Sequence, residues 1–142
     1  MQLNVNRCIK ILTALLLFIF IPASLQAATF QLDNLNTVDQ TVDVLYDFSD
    51  GEVAGFQFDV SGLALTGGSG GIAGDAGFQV SAGASIVLGF SFDGATIDGS
   101  GLLTTLSYSA INGEEACLSN TIATAPGGTS EYSSDGGSCI ST

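Results

Sequence analysis

The sequence predicts an all-β protein, two antiparallel sheets of about eight or nine strands stacked as a β-sandwich, and three observations predict it. Short segments alternate apolar and polar residues with period two. All 19 glycines lie after Ala28, spread between those segments where turns would join strands. Nothing along the chain reads as an amphipathic helix. Strands that each carry one apolar face must bury those faces against one another, and two stacked layers do so. A small closed barrel is the alternative; no fixed period supports a repeat solenoid.

The chain opens with an export signal. Arg7 and Lys10 precede an apolar and Thr run from Ile11 to Ile21, followed by Pro22 and the small-residue stretch Ala23-Ser24-Leu25-Gln26-Ala27. These are the basic, apolar and cleavage regions of a secretory signal peptide. The run is well short of the roughly 20 apolar residues that a membrane-spanning helix needs. The expected scissile bond is Ala27-Ala28, which divides the chain into a signal, 1–27, and one domain, 28–142. No Cys follows the bond to accept a lipid, and no membrane insertion is expected after cleavage.

The predicted strands follow in order. Thr29 to Leu35 is the first and Val42 to Phe48 the second, with Val42, Val44 and Tyr46 on one face. A turn is expected at Ser49-Asp50-Gly51-Glu52. Phe56, Phe58 and Val60 then alternate with Gln57 and Asp59, which sends two rings and a valine to the core. Leu63 and Leu65 bracket Ala64 before a glycine-rich loop, Gly67 to Gly77. Phe78 to Ser81 resumes the strand pattern. Ile86, Leu88, Phe90 and Phe92 share a face, as do Leu102, Thr104, Leu106 and Tyr108, and both rows are read as core-facing. Leu118, Asn120 and Ile122 begin another strand.

Charge narrows the partners. The two basic residues of the chain, Arg7 and Lys10, leave with the signal, there is no His, and all 14 carboxylates remain, so the net charge moves from −12 to −14. A surface of one sign repels phosphate backbones and anionic lipid, which excludes nucleic acid and membrane surfaces. An extracellular protein or a polysaccharide remains. About 115 residues provide one domain and one core.

Export leads to an oxidising compartment, where Cys117 and Cys139 are expected to pair. Closing a loop of about 22 residues contributes roughly 3 kcal/mol when the geometry is unstrained. That loop runs through Pro126-Gly127-Gly128 and Asp135-Gly136-Gly137 and reads as a terminal hairpin. Two Cys without His lack the ligands zinc takes.

Val42 to Thr124 resembles the cohesin-like domains and the wider carbohydrate-binding sandwich group that contains them. The residues carrying the likeness are Thr41-Val42-Asp43-Val44, Val53-Ala54-Gly55-Phe56-Gln57-Phe58-Asp59-Val60, Val87-Leu88-Gly89-Phe90-Ser91-Phe92 and Gly101-Leu102-Leu103-Thr104-Thr105-Leu106-Ser107-Tyr108. The resemblance implies a nine-strand jelly-roll sandwich that binds rather than catalyses. Cohesins bind dockerins, small calcium-loop modules, through one sandwich face. The chain differs from them in being shorter and in its late Cys pair, and no dockerin-contact residue carries over.

Other motifs fail on context. Gly68-Ser69-Gly70-Gly71-Ile72-Ala73 satisfies G-x-G-x-x-A, but dinucleotide binding needs a βαβ unit. Gly70 to Phe78 matches half of a calcium-binding nonapeptide around Asp75, and such repeats work only by stacking. Without His or Lys, and with the Cys pair oxidised, the usual catalytic bases and activated nucleophiles are missing. Glu114-Glu115 is the one suggestive carboxylate pair, and adjacent strand residues point to opposite faces. The chain therefore reads as a non-enzyme that needs no cofactor.

Asp47, Asp50 and Glu52 cluster around the expected turn and are the candidate calcium ligands, since converging oxygens suit a hard cation. Sugar binding lacks its usual exposed Trp, and Tyr132 is the ring least obviously buried. The expected function is a secreted, non-catalytic binding or assembly module acting through a β-sandwich face. A carbohydrate-binding module and a calcium-dependent extracellular matrix protein are the alternatives.

Overall fold

Ten strands and one helical turn form in the computed structural model, which describes residues 26–128 and 130–142. The strands are β1 (Ala27–Asn36), β2 (Thr41–Val53), β3 (Gly55–Ser61), β4 (Leu63–Ser69), β5 (Gln79–Ala82), β6 (Ile86–Phe90), β7 (Ile97–Ile111), β8 (Glu115–Thr124), β9 (Glu131–Asp135) and β10 (Ile140–Ser141); the helix is α1 (Gly71–Asp75). The export signal expected over 1–27 falls outside the described residues except for Gln26 and Ala27.

Strand pairing follows the path β4-β7-β2-β1-β9-β8-β3-β6-β5, with β10 beside β8. The β1–β9 pairing is parallel and the others are antiparallel, so the sheet is mixed where an antiparallel one was expected. β9 is the strand at which the sheet folds over: it pairs with β1 through Ser133, Ser134 and Asp135, and with β8 through Tyr132 and Glu131. Folding over brings the two ends together. Leu65 N–H of β4 donates to the Ala84 carbonyl, just past β5, at 3.1 Å, and the sheet is nearly closed.

The core is built from the inward row of each strand. Ala28, Phe30 and Leu32 of β1, Val42, Val44, Tyr46 and Phe48 of β2, and Phe56, Phe58 and Val60 of β3 are all buried. The rings meet across the core, Phe30 to Phe58 at 5.5 Å between centroids and Phe30 to Phe48 edge-on at 5.4 Å. Aromatic pairs at these separations add to the burial of their area. Two buried tyrosines place their hydroxyls on backbone: Tyr46 donates to the Asp98 carbonyl at 2.9 Å and Tyr108 to the Asn36 carbonyl at 3.0 Å. Neither polar group is therefore left unpaired in the interior.

Beyond the parallel pair, the structure departs from the sequence expectation at four places along the strands. β2 does not turn at Ser49-Asp50-Gly51-Glu52 but runs on to Val53, which pairs with Ile97 after an irregularity in the ladder. The Gly67–Gly77 loop contains α1, seated over β7 so closely that a Cβ on Gly71 would lie 2.4 Å from the Leu103 carbonyl.

In β7, Val44 faces Thr104 and Leu45 faces Leu102, leaving Leu103 as the extra residue of a bulge. The bulge buries Leu103 and Thr104 together and turns Leu102 outward, so the expected row Leu102, Thr104, Leu106, Tyr108 is broken at its first member. The buried Thr104 hydroxyl donates to the Ser69 carbonyl at 3.2 Å.

The fourth departure is an inversion of β6. Its core residues are Val87 and Gly89, while Ile86, Leu88 and Phe92 are 50 %, 41 % and 80 % exposed. Residues directly paired across strands share a face, and Phe58 pairs with Val87 and Phe56 with Gly89. Two inward rings on β3 demand small neighbours, and β6 supplies them by turning its larger residues out.

Candidate docking face

The outer face of β5, β6, β3 and β8 is set by registers that stack residues in rows across the strands. Gln57 of β3 lies between Leu88 of β6 and Ile122 of β8; Asp59 lies between Ile86 and Ser119; Gly55 lies between Phe90 and Thr124. A bulge in β8, with Asn120 at φ 48°, restores Ile122 to this outer side while Leu118, opposite Val60, stays buried. Leu118, Asn120 and Ile122 do belong to one strand, β8, but Leu118 faces the core and Ile122 the outer side.

An apolar row results on β6, Ile86, Leu88 and Phe90, between the polar Gln79 and Ser81 of β5 and the polar Gln57 and Asp59 of β3. Ile86, Leu88, Phe90 and Ile122 flank Gln57 and Asp59, and Phe92 stands beyond the end of β6 with its ring edge-on to Phe90 at 5.0 Å. Asn120 Nδ2 donates to the Asp59 carboxylate at 2.6 Å and holds it in place. At the Gly55 end the face recedes into a hollow of about 460 Å³ that reaches Gly128 and Glu131. Charged residues around the face are acidic, because the chain beyond Lys10 carries no Lys, Arg or His.

Each residue singled out as a calcium candidate accepts hydrogen bonds from a different partner. The Asp47 carboxylate accepts the Ser49 backbone N–H at 2.9 Å and also the Ser49 hydroxyl, and those two bonds, the hydroxyl first, hold its pKa below the ordinary carboxylate range. The Asp50 carboxylate accepts the Ala27 N–H at 3.0 Å. Glu52 accepts from the Thr96 hydroxyl at 3.2 Å. All three lie on the continuing strand β2. Among the described residues, the one group of three metal-capable side chains whose ligand atoms lie within 4.8 Å is Glu115, Cys117 and Cys139.

In that group the two sulfurs are bonded to each other. Cys117 of β8 and Cys139, just before β10, form a disulfide with 4.3 Å between Cα atoms. It sets Ile140 and Ser141 against Ala116 and Glu115 as a short added strand. Glu114 precedes β8 and Glu115 begins it; both are exposed. Tyr132 is not an open platform for a sugar. Its hydroxyl donates to the Glu52 carbonyl at 2.7 Å, and its ring lies over Gly51, where a Cβ would come within 2.6 Å of the hydroxyl oxygen.

The outward apolar row was missed in the sequence because Ile86-Val87-Leu88-Gly89-Phe90 is apolar in both parities, so alternation alone does not say which row faces in. Gly89 is the signal that would have decided it: a glycine in a strand often marks the close approach of another group, here the Phe56 ring.

No family model matches the chain, and no curated protein matches it. Among solved structures, a chain of the crystal structure of the CaDoc0917–CaCohA2 complex, a dockerin–cohesin complex, aligns with 15 % identity and a TM-score of 0.51, covering 81 % of this chain and 99 % of that one. At that identity the likeness concerns the fold, which is cohesin-like and β-rich. No helix among the described residues is long and apolar enough to cross a membrane.

Proposed function

We propose that this chain is a secreted, non-catalytic binding module, built as a two-layer cohesin-like sandwich, that docks a protein partner through the outer face of β8, β3, β6 and β5. The observation that carries the reading is the inversion of β6: a strand in the middle of a paired sheet turns Ile86, Leu88 and Phe90 outward and keeps Val87 and Gly89 for the core. Apolar residues gathered on one solvent face, framed by polar ones, have the anatomy of a protein-binding site. The fold neighbour was crystallised in a dockerin–cohesin complex, which supports a protein rather than a glycan as the partner. Tyr132, the ring a sugar would have used, is occupied by Glu52 and Gly51.

The partner is a protein whose surface sets apolar groups beside basic ones. A face with Asp59 and Glu131 around it, on a chain of 14 carboxylates, attracts such a surface and repels a second copy of itself. An exported location supplies the oxidant for the Cys117–Cys139 bond.

The test is affinity capture from the secreted and surface fractions of the source cells, followed by calorimetry with the purified partner. Leu88→Asp is expected to weaken binding at least about thirtyfold, as loss of a central apolar contact does, with unchanged melting. Equal affinity of the Leu88→Asp protein would remove this face from consideration.

A further inference from the structure

We propose that the hollow over Gly55 is a socket for one long basic side chain, lysine or arginine, projecting from the protein partner. The inference rests on the docking reading above and adds a specific chemical feature to that partner.

The hollow lies where an outward row of the sheet carries a glycine. On the outward row Phe90–Gly55–Thr124, the middle position has no side chain, whereas the neighbouring rows are filled there by Gln57 and Asp59. Gly55 is not needed for an unusual backbone torsion, for it is absent from the glycines with positive φ. A Cβ there would stand 3.0 Å from the Thr124 hydroxyl, which donates to the Gly55 carbonyl, and 3.5 Å from the Gly89 carbonyl, so a side chain at this position would enter the hollow only by displacing Thr124. What the glycine provides on the outside is open space of about 460 Å³ in the hollow it shares with its neighbours.

The walls of that space suit a side chain that is apolar along its stem and cationic at its tip. Phe90, Leu88 and Ile122 line it on the sheet side, and Glu131 lines it on the β9 side beside Gly128. A lysine or arginine stem would lie along the Phe90 ring and Ile122 while its head reached the Glu131 carboxylate, burying the methylenes and leaving the charge at the rim. The Phe90 ring adds a face for the cation. Among the described residues no Lys, Arg or His competes for Glu131. A second copy has no basic side chain in the described domain to offer, so the occupant comes from a different protein.

The test uses n-butylguanidinium and n-butylammonium as probes of the two head groups, with methylammonium as the stemless control, titrated into the isotopically labelled protein and followed by amide chemical shifts. Saturable shifts are expected at Gly55, Leu88, Ile122 and Glu131, with binding about tenfold tighter for the butyl compounds than for methylammonium because of the buried methylenes. Gly55→Leu, which fills the hollow, and Glu131→Gln, which removes the charge, are each expected to weaken butyl-probe binding at least fivefold; Glu131→Gln, on the surface, guards against a folding defect in Gly55→Leu. Equal shifts from methylammonium, shifts scattered over all carboxylates, or unchanged affinity in Glu131→Gln would overturn the socket. The two proposals fail separately. If Leu88→Asp abolishes binding of the partner while Gly55→Leu and Glu131→Gln retain full affinity for it, the socket is wrong and the docking face stands.

Discussion

Gly89 lies directly opposite Phe56 in the β3–β6 ladder, and a Cβ built on it would come 2.1 Å from the tip of the phenyl ring. The contact fixes the orientation of β6. With Phe56 filling the space inside Gly89, the strand must keep Val87 and Gly89 inward, and its larger residues, Leu88 and Phe90, fall on the outer side. A single small residue in the core thus produces the apolar surface from which the function is inferred.

Gly89→Ala is accordingly expected to cost about 3 kcal/mol, the upper range for overpacking a filled interior. Urea unfolding of the purified protein measures it. Leu88→Ser, one residue away on the solvent side, should change stability by less than about 0.5 kcal/mol. A reversed order of the two effects would mean that β6 is the other way round.

Phe58 is fully buried and packs against both Phe30 and Phe56. Truncation to Ala is expected to cost about 4 kcal/mol, the transfer and cavity terms together. For a domain of this size that is a large part of the total stability, and it should be seen as a lower unfolding midpoint or as loss of soluble protein. A loss under about 1 kcal/mol would place the ring outside the principal core.

The strands of the first half were legible in the sequence because each has one apolar parity: Val42, Val44, Tyr46 and Phe56, Phe58, Val60 lie where alternation puts them. What alternation does not contain is the extra residue of a bulge. Leu103 and Asn120 each shift the phase, so Leu102 leaves the core and Ile122 is separated from Leu118. The segment around Ser49-Asp50-Gly51-Glu52 has the composition of a turn, yet Tyr132 and Thr96 bind it from distant parts of the chain and keep it extended. Local sequence does not report such partners. The outward row Ile86, Leu88 and Phe90 was present as letters and read as core, because an all-apolar strand has no parity of its own.

Asp47 and Tyr46 give opposite pH dependences. Ser49 holds the Asp47 carboxyl below its ordinary pKa, so its contribution to stability is present above the unfolded pKa and is lost as pH falls through the folded one. Burial first, and the nearby negative charge of Asp98 second, raise the Tyr46 pKa. Its contribution is present below about pH 10, the unfolded value for tyrosine, and is lost as pH rises through the raised folded pKa. Ser49→Ala should flatten the acid limb of a stability–pH profile and leave the alkaline limb unchanged. An unchanged acid limb would separate Asp47 from acid sensitivity.

Reduction of the Cys117–Cys139 bond should lower stability by roughly 3 kcal/mol. The loss should concentrate where β10 pairs with β8 and where β8 pairs with β9, and amide hydrogen exchange with and without reductant reports it residue by residue. Exchange that rises equally in β2 and β7 would show the bond to be a global rather than a terminal clamp.

The docking face is tested most directly by cross-saturation of the labelled protein in complex with its purified partner. Signal loss is expected at the amides of Gln57, Leu88 and Ile122 and at few amides of β2 and β7. Loss centred instead on the outer side of β4, β7, β2 and β1, with β6 untouched, would contradict the account.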